Sequence, residues 1–127
     1  HLLLTILDQL DFLNIEYEER PWGRFYVIHD QPNYKLKRIE VNPASRLSYQ
    51  YHHKRSEAWT IIDGIARITI DDITNDFQKG DTILIPKLSK HRVENMSNKL
   101  LIFIEVQTGE YFGEDDIVRI EDDYNRI

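Results

Sequence analysis

From Phe25 onward the sequence is cut into short runs of β-branched, aromatic and alternating apolar residues, and that punctuation leaves few folds open. The runs are Phe25–Ile28, Leu36–Val41, Leu47–Tyr51, Trp59–Ile62, Ala66–Ile70, Thr82–Ile85 and Leu101–Val106. Asn42-Pro43, Asp63-Gly64, Asp71-Asp72 and Lys79-Gly80-Asp81 mark turns between them. Six or seven short strands without βαβ alternation predict an all-β antiparallel sandwich or barrel. Ahead of Pro21-Trp22-Gly23 the period changes. Leu3, Leu7, Leu10 and Phe12 or Leu13 follow one helical stripe, with Asp8, Gln9, Asp11 and Asn14 left for water. This predicts a short N-terminal helix over 2–15, within a helical appendage over 1–19, and a β domain over 20–127. The acid-rich stretch from Glu114 to Asp123 is expected as a turn or short helix.

A chain of 127 residues, 41% hydrophobic and 30% charged, suffices for one domain with a core. No run approaches the ~20 apolar residues of a membrane span, so no membrane partner is expected. The opening HLLLTIL has no basic residue before it and no small-residue cleavage site after it, which does not read as a signal peptide. The initial His is the expected mark of a domain trimmed from something longer. With no Cys, disulfides, thiolate zinc sites and cysteine nucleophiles are excluded, and a cytoplasmic setting is expected. The net charge of -6 conceals a basic segment. Lys35, Lys37, Arg38, Arg46, Lys54 and Arg55 face only Glu40 in that stretch, whereas eight acids crowd the chain from Glu105 onward. An acidic protein with one local basic segment is not expected to bind nucleic acid. It suits a small anion, or else these side chains simply alternate outward into water.

Four residues can carry chemistry together. On a strand Gln50 and His52 share a face, and His53 takes the other. Glu57 lies an odd step beyond His52, so a turn or bulge through His53–Ser56 must bring it round. His91 is expected in a loop after Pro86, with Asn95 shortly beyond. Two imidazoles, a carboxylate and an amide oxygen would suit a divalent metal with open positions. Each residue also has an ordinary structural role open to it, as a hydrogen-bonded strand His or a surface salt-bridge Glu.

The motifs narrow this choice. Ala44, Gln50-Tyr51-His52, Glu57 and Gly64 follow the spacing of the first cupin motif, and Gly80, Pro86, His91 and Asn95 that of the second. Ala44 and Leu88 stand where the family has glycine, and Gln50 takes the first His position, as in phosphomannose isomerases. Arg20-Pro21-Trp22-Gly23, Lys37-Arg38-Ile39, Leu47-Ser48-Tyr49-Gln50, Arg55-Ser56-Glu57, Glu105-Val106-Gln107-Thr108-Gly109 and Glu114-Asp115-Asp116-Ile117-Val118-Arg119 extend the match. Over about Arg20 to Arg126 the chain resembles the C-terminal cupin domain of type II mannose-6-phosphate isomerase / mannose-1-phosphate guanylyltransferase enzymes. The nucleotidyltransferase domain of those enzymes is not in this sequence.

The resemblance implies a cupin-type double-stranded β-helix, a jelly-roll β-sandwich. It implies a metal site on Gln50, His52, Glu57 and His91, holding zinc first and cobalt, nickel or manganese as alternatives. The implied activity is aldose–ketose isomerisation of mannose 6-phosphate to fructose 6-phosphate, in GDP-mannose and polysaccharide precursor metabolism. Lys37, Arg38, Arg55 and Arg119 are the implied phosphosugar-binding residues, with Lys37 and Arg55 catalytic. Since Lys37 and Arg38 alternate on a strand, only one can face a pocket, and Lys37 is preferred. The general base is left open among Lys37, His53 and a metal-bound hydroxide, with His53 last because of its strand parity. A homodimer is implied by family analogy. Against the family pattern, Ala58 stands where bifunctional members carry His. If that His assists catalysis, activity is weakened or redirected; if it only packs, nothing is lost. The alternative reading is a non-catalytic phosphosugar- or sugar-nucleotide-binding module of a larger guanylyltransferase. An iron oxygenase is a third, disfavoured by Gln50 and the basic segment. Arg92 is expected to pair with the acidic tail, where Asp115 and Asp116 are available partners.

Overall fold

The computed structural model describes residues 15–126, and every regular element among them is a strand. In chain order they are β1 (Tyr17–Arg20), β2 (Gly23–Gln31), β3 (Tyr34–Val41), β4 (Tyr49–Tyr51), β5 (Arg55–Asp63), β6 (Ala66–Ile70), β7 (Ile73–Phe77), β8 (Thr82–Ile85), β9 (His91–Glu94), β10 (Leu101–Gly109) and β11 (Val118–Glu121). Two antiparallel sheets result. One has the order β1-β2-β3-β10-β5-β8 and the other β11-β4-β9-β6-β7. The chain changes sheet at β3–β4, β4–β5, β5–β6 and again at most later turns, the double winding expected of a jelly roll.

Period-two alternation decides which side chains lie between the sheets. On β5, Arg55, Glu57, Trp59 and Ile61 are buried and alternate with outward Ser56, Ala58 and Thr60. On β10, Leu101, Phe103, Glu105 and Gln107 do the same. On β3 the inner set is Lys37, Ile39 and Val41. Register aligns these rows: Phe103 faces Ile39 and Ile61, while Glu105 faces Lys37 and Trp59. The interior is therefore apolar at one end and polar at the other. Ile39, Val41, Ile61, Ile68, Val93, Leu101 and Phe103 form the apolar end. Closing such side chains off from water stabilises the fold by about 1.5–3 kcal/mol each.

All seven sequence-read runs are strands or contain one, but four strands lie outside them. β1 pairs with β2, so the sheet begins at Tyr17, inside the stretch assigned to the helical appendage. Its sequence Tyr-Glu-Glu-Arg is polar and carries no alternation to read. The helix expected over 2–15 falls outside the described residues apart from Ile15. β7 is an exposed polar edge, held to β6 by the Thr69–Thr74 hydroxyl pair and the Arg67–Asp76 ion pair. β11 replaces the expected turn or helix over part of the acidic stretch, pairing with β4. β9 is the fourth: His91 opens a strand rather than sitting in a loop. β4 in turn meets β9 in register at a single pair, Gln50 and His91, beyond an isolated bridge at Arg46 and Glu94.

Both non-glycine residues at the family's glycine positions adopt left-handed backbone, Ala44 at φ 56° and Leu88 at φ 68°. The turn is conserved although the residue is not, and an L-residue there costs about 1–2 kcal/mol. Neither is packed, since Ala44 is exposed and Leu88 is 58% exposed. Ala44→Gly and Leu88→Gly are each expected to raise stability by about 1 kcal/mol, a gain of roughly 3–5 °C in Tm by calorimetry. A lower Tm in both variants would refute the strain.

Candidate metal centre

The odd step from His52 to Glu57 is resolved by a change of sheet. His52 follows β4 in the five-stranded sheet, the chain turns through His53 and Lys54, and Glu57 returns on β5 of the facing sheet. His91, at the start of β9, completes a buried group whose candidate ligand atoms lie within 4.8 Å of one another. The ring centroids of His52 and His91 are 5.0 Å apart.

Hydrogen bonds fix both imidazoles in the same tautomer. His52 Nδ1 donates to the Asp116 carbonyl at 2.7 Å, and His91 Nδ1 donates to the Ser89 carbonyl at 2.9 Å. A carbonyl only accepts, so each Nδ1 carries the proton and each Nε2 keeps a lone pair. His52 Nε2 lies 3.3 Å from Glu57 Oε2 and His91 Nε2 lies 3.8 Å from Glu57 Oε1. His91 Nε2 is buried without a hydrogen-bond partner among the described residues. An unpartnered buried polar atom costs about 1–3 kcal/mol, and a cation is the partner a lone pair lacks. Burial first, then the Arg55 and His91 charges, push the His52 imidazole down to about 4. Burial also lowers His91. Both are therefore neutral at physiological pH, as ligation requires.

Glu57 is held from both sides. Arg55 Nε donates to its Oε2 at 2.8 Å, and Trp59 Nε1 donates to its Oε1 at 3.0 Å. Arg55 Nη2 also lies 3.3 Å from His52 Nε2. Gln50 faces His91 across the β4–β9 register, so it shares the inner face with the triad. Its Oε1 accepts from Ser48 Oγ at 2.7 Å. Two neutral nitrogens and one carboxylate, with an amide oxygen alongside, fit a divalent cation.

Beside the triad lies a cavity of about 60 Å³, lined in part by Gln50, Lys37, Arg55, Glu105, Glu114 and Arg119. Lys37 is inward, as preferred, and Ile39 shares its face. Arg119 faces Gln50 across the β11–β4 register. Alternation turns Arg38, also in the expected substrate-binding set, to the outer face of the sheet, where Nε donates to Glu40 Oε2 at 3.0 Å. Arg92 pairs with the acidic tail as expected, at Glu121 rather than at Asp115 or Asp116. Asp116 instead accepts from the amides of His53 and Lys54 and holds His52 through its carbonyl. His53 is exposed, as its parity requires. Asn95 fixes its turn, donating to the carbonyls of Val41 and Lys99. Ala58 lies on the outer face of the six-stranded sheet, between Val106 and Leu84, and does not line the cavity.

Three participants were not assigned a role from sequence: Glu105, Gln107 and Glu114. Trp59 Nε1 also reaches Glu105 Oε1 at 3.1 Å, and Gln107 Nε2 donates to Glu105 Oε2 at 2.9 Å. Burial, then the Glu57 charge, raises the Glu105 carboxyl to about 7. The available signal was the parity of β10, where Glu105 and Gln107 continue the buried row of Leu101 and Phe103.

The sequence profile described as "Mannose-6-phosphate isomerase C-terminal" matches residues 13–122. The alginate biosynthesis protein AlgA of Pseudomonas aeruginosa is 43% identical over 107 residues, covering 84% of this chain and 22% of that protein. The mannose-1-phosphate guanylyltransferase ManC of Salmonella typhimurium is 42% identical over 108 residues, covering 85% of this chain and 22% of that protein. The chain thus spans about a fifth of the length of these curated relatives. Among solved structures, the oxalate decarboxylase of Bacillus subtilis, described with Mn(II) centres, superposes with a TM-score of 0.73 at 19% identity. That match covers 86% of this chain and 31% of the other and shows the shared cupin fold.

His52→Ala and His91→Ala are each expected to abolish stoichiometric binding of zinc or manganese, measured by calorimetry, while the β-type circular dichroism spectrum is retained. Chelation of loaded wild-type protein is expected to lower its Tm, because a cation bound only by the folded state stabilises it by mass action. Unchanged metal content in both variants would remove the site.

Proposed function

Because the chain belongs to the mannose-6-phosphate isomerase C-terminal family, we propose that it is a metal-dependent cupin that converts mannose 6-phosphate to fructose 6-phosphate. The observation that carries this reading is the convergence of Lys37, Arg55 and Arg119 on one cavity beside the His52–Glu57–His91 triad. Arg55 Nη1 and Arg119 Nε are buried there without hydrogen-bond partners among the described residues. Guanidinium donors suit phosphate oxygens, and a charge-assisted bond of this kind is about twice as strong as a neutral one. His52, Glu57, His91 and Gln50 would hold the cation. Zinc is our first choice, and the Mn(II) of the oxalate decarboxylase fold supports a divalent ion more broadly.

The chain's own groups divide the work. A divalent cation at this site would supply Lewis acidity to a sugar carbonyl. Arg55 anchors the Glu57 carboxylate and extends its idle donor into the cavity. Lys37, facing Glu105 across the β3–β10 register, is the side chain placed to move a proton between neighbouring carbons, taking it up as the neutral amine and returning it from the ammonium so formed. Arg119 reaches the cavity from β11 without touching the triad, which makes it the cleaner phosphate contact to remove. The setting proposed is cytoplasmic, in GDP-mannose and polysaccharide precursor synthesis, as the names of the relatives support. The homodimer is also a proposal, supported by the apolar edge at β8, where Leu84 is 72% exposed.

A coupled assay for fructose 6-phosphate, run on zinc-, cobalt- and manganese-loaded protein, is expected to give turnover that disappears on chelation. Metal-loaded protein without turnover would overturn the isomerase assignment in favour of a binding module. Arg119→Gln is expected to raise KM for mannose 6-phosphate by about tenfold with metal content unchanged, whereas Arg55→Ala disturbs both because it also releases Glu57. An unaltered KM in Arg119→Gln would move phosphate recognition elsewhere. Ala58→His, on the outer face, is expected to leave kcat and KM within about twofold of wild type. A large gain would mean that this position reaches the chemistry after all.

A further inference from the structure

The segment joining β10 to β11 folds back over the cavity and is pinned there by Asp116. Its carboxylate accepts from the His53 and Lys54 amides at 3.1 and 2.9 Å. From this turn Glu114 reaches inward to an ion pair with Lys37. The two partners differ in environment: the Lys37 side chain is 4% exposed and that of Glu114 41%. One carboxylate thus links the bulk solvent to a buried ammonium. Against the burial that would raise it, Lys37 and Arg55 hold the Glu114 carboxyl below its ordinary range.

This single negative charge does not satisfy its surroundings. Arg55, fully enclosed, leaves Nη1 without a partner, and Arg119 leaves Nε without one, both buried at the same cavity. A phosphate monoester would bring more negative charge and three acceptor oxygens to this surplus of donors. Glu114 lines this cavity, about 60 Å³ as it stands, and withdrawal of its half-solvated side chain toward solvent would enlarge it.

Resting on the phosphosugar reading above, we propose that Glu114 is an internal occupant of the phosphate seat formed by Lys37, Arg55 and Arg119, displaced outward when a phosphate monoester binds. The exchange discriminates by charge. A neutral sugar offers Lys37 nothing in return for the carboxylate, so the seat opens to anions alone.

The test is calorimetric titration of inorganic phosphate, and separately of mannose, into metal-free protein. Glu114→Gln is expected to bind phosphate about tenfold more tightly than wild type, with mannose binding unchanged and zinc stoichiometry intact. Glu114→Asp, which keeps the charge but draws it back by one methylene, is expected to fall between the two. Phosphate affinity in folded Glu114→Gln that equals or falls below wild type would overturn the proposal. If Glu114→Gln fails to fold, Glu114→Asp decides: tighter phosphate binding supports the exchange and unchanged binding overturns it. The isomerase assignment fails separately. Tighter phosphate binding without mannose 6-phosphate turnover keeps the seat and removes the reaction, whereas turnover with unchanged phosphate affinity does the reverse.

Discussion

The buried ion pair between Arg55 and Glu57 is the interaction on which the remainder of the polar interior depends. Taking both charges out of water costs several kcal/mol per ion, and removing one partner alone costs about 3–5 kcal/mol. Only dense pairing makes such a site tolerable, and Trp59 supplies the second hydrogen bond to Glu57. The pair sets the electrostatics around it. The Arg55 charge helps keep His52 neutral, and the Glu57 charge helps raise Glu105. It also dictates backbone detail. Gly109 lies opposite Arg55 in the β10–β5 register at φ 146°, and a Cβ there would come within 2.3 Å of the Lys54 carbonyl oxygen. The strand that backs the ion pair can approach only because that position has no side chain.

Trp59 marks the border between the two halves of the interior. Its indole N–H serves Glu57 and Glu105, while its ring lies 5.0 Å from Phe103 and 5.6 Å from His91, centroid to centroid. An amphipathic side chain of this kind lets a dry, close-packed wall end against a charged cluster with its own indole N–H satisfied. Rigid apolar packing on one side then holds the ligand residues in place, which a metal site needs more than it needs affinity from any single ligand.

How much of this could be read from the chain follows from what period-two patterning can and cannot carry. Phe25–Ile28, Leu36–Val41 and Leu101–Val106 announced themselves because one face of each is buried in the core. β1 and β7 did not, because they are largely polar, exposed strands held by their partners, and β11 did not because its Val-Arg-Ile-Glu alternation is four residues long, lies within an acidic stretch and leaves Val118 and Ile120 exposed. Parity placed Lys37 inward and Arg38 outward as alternatives, and it placed His53 outside. It could not say that the step from His52 to Glu57 is a passage between layers. Glu105 and Gln107 belong to a matching motif and share the strand parity of Leu101 and Phe103, yet the motif assigns neither a role. Glu114 acts through the tertiary fold: 77 residues separate it from Lys37, and no local pattern links the two.

The single in-register pair between β4 and β9 has a kinetic meaning. β4 and β11 are short, contribute little to the apolar end, and meet β9 in main-chain register only at Gln50–His91 and the bridge near Arg46, with side-chain bonds from Arg92 to Leu47 and Glu121 and from Tyr49 to Asp72. Local opening free energies track such contact, so the amides of this ribbon are expected to exchange ahead of those of β5 and β10, which the apolar row anchors. Gln50 and His91, the one register pair that ties the ribbon to β9, thus put the candidate ligand residues at its root.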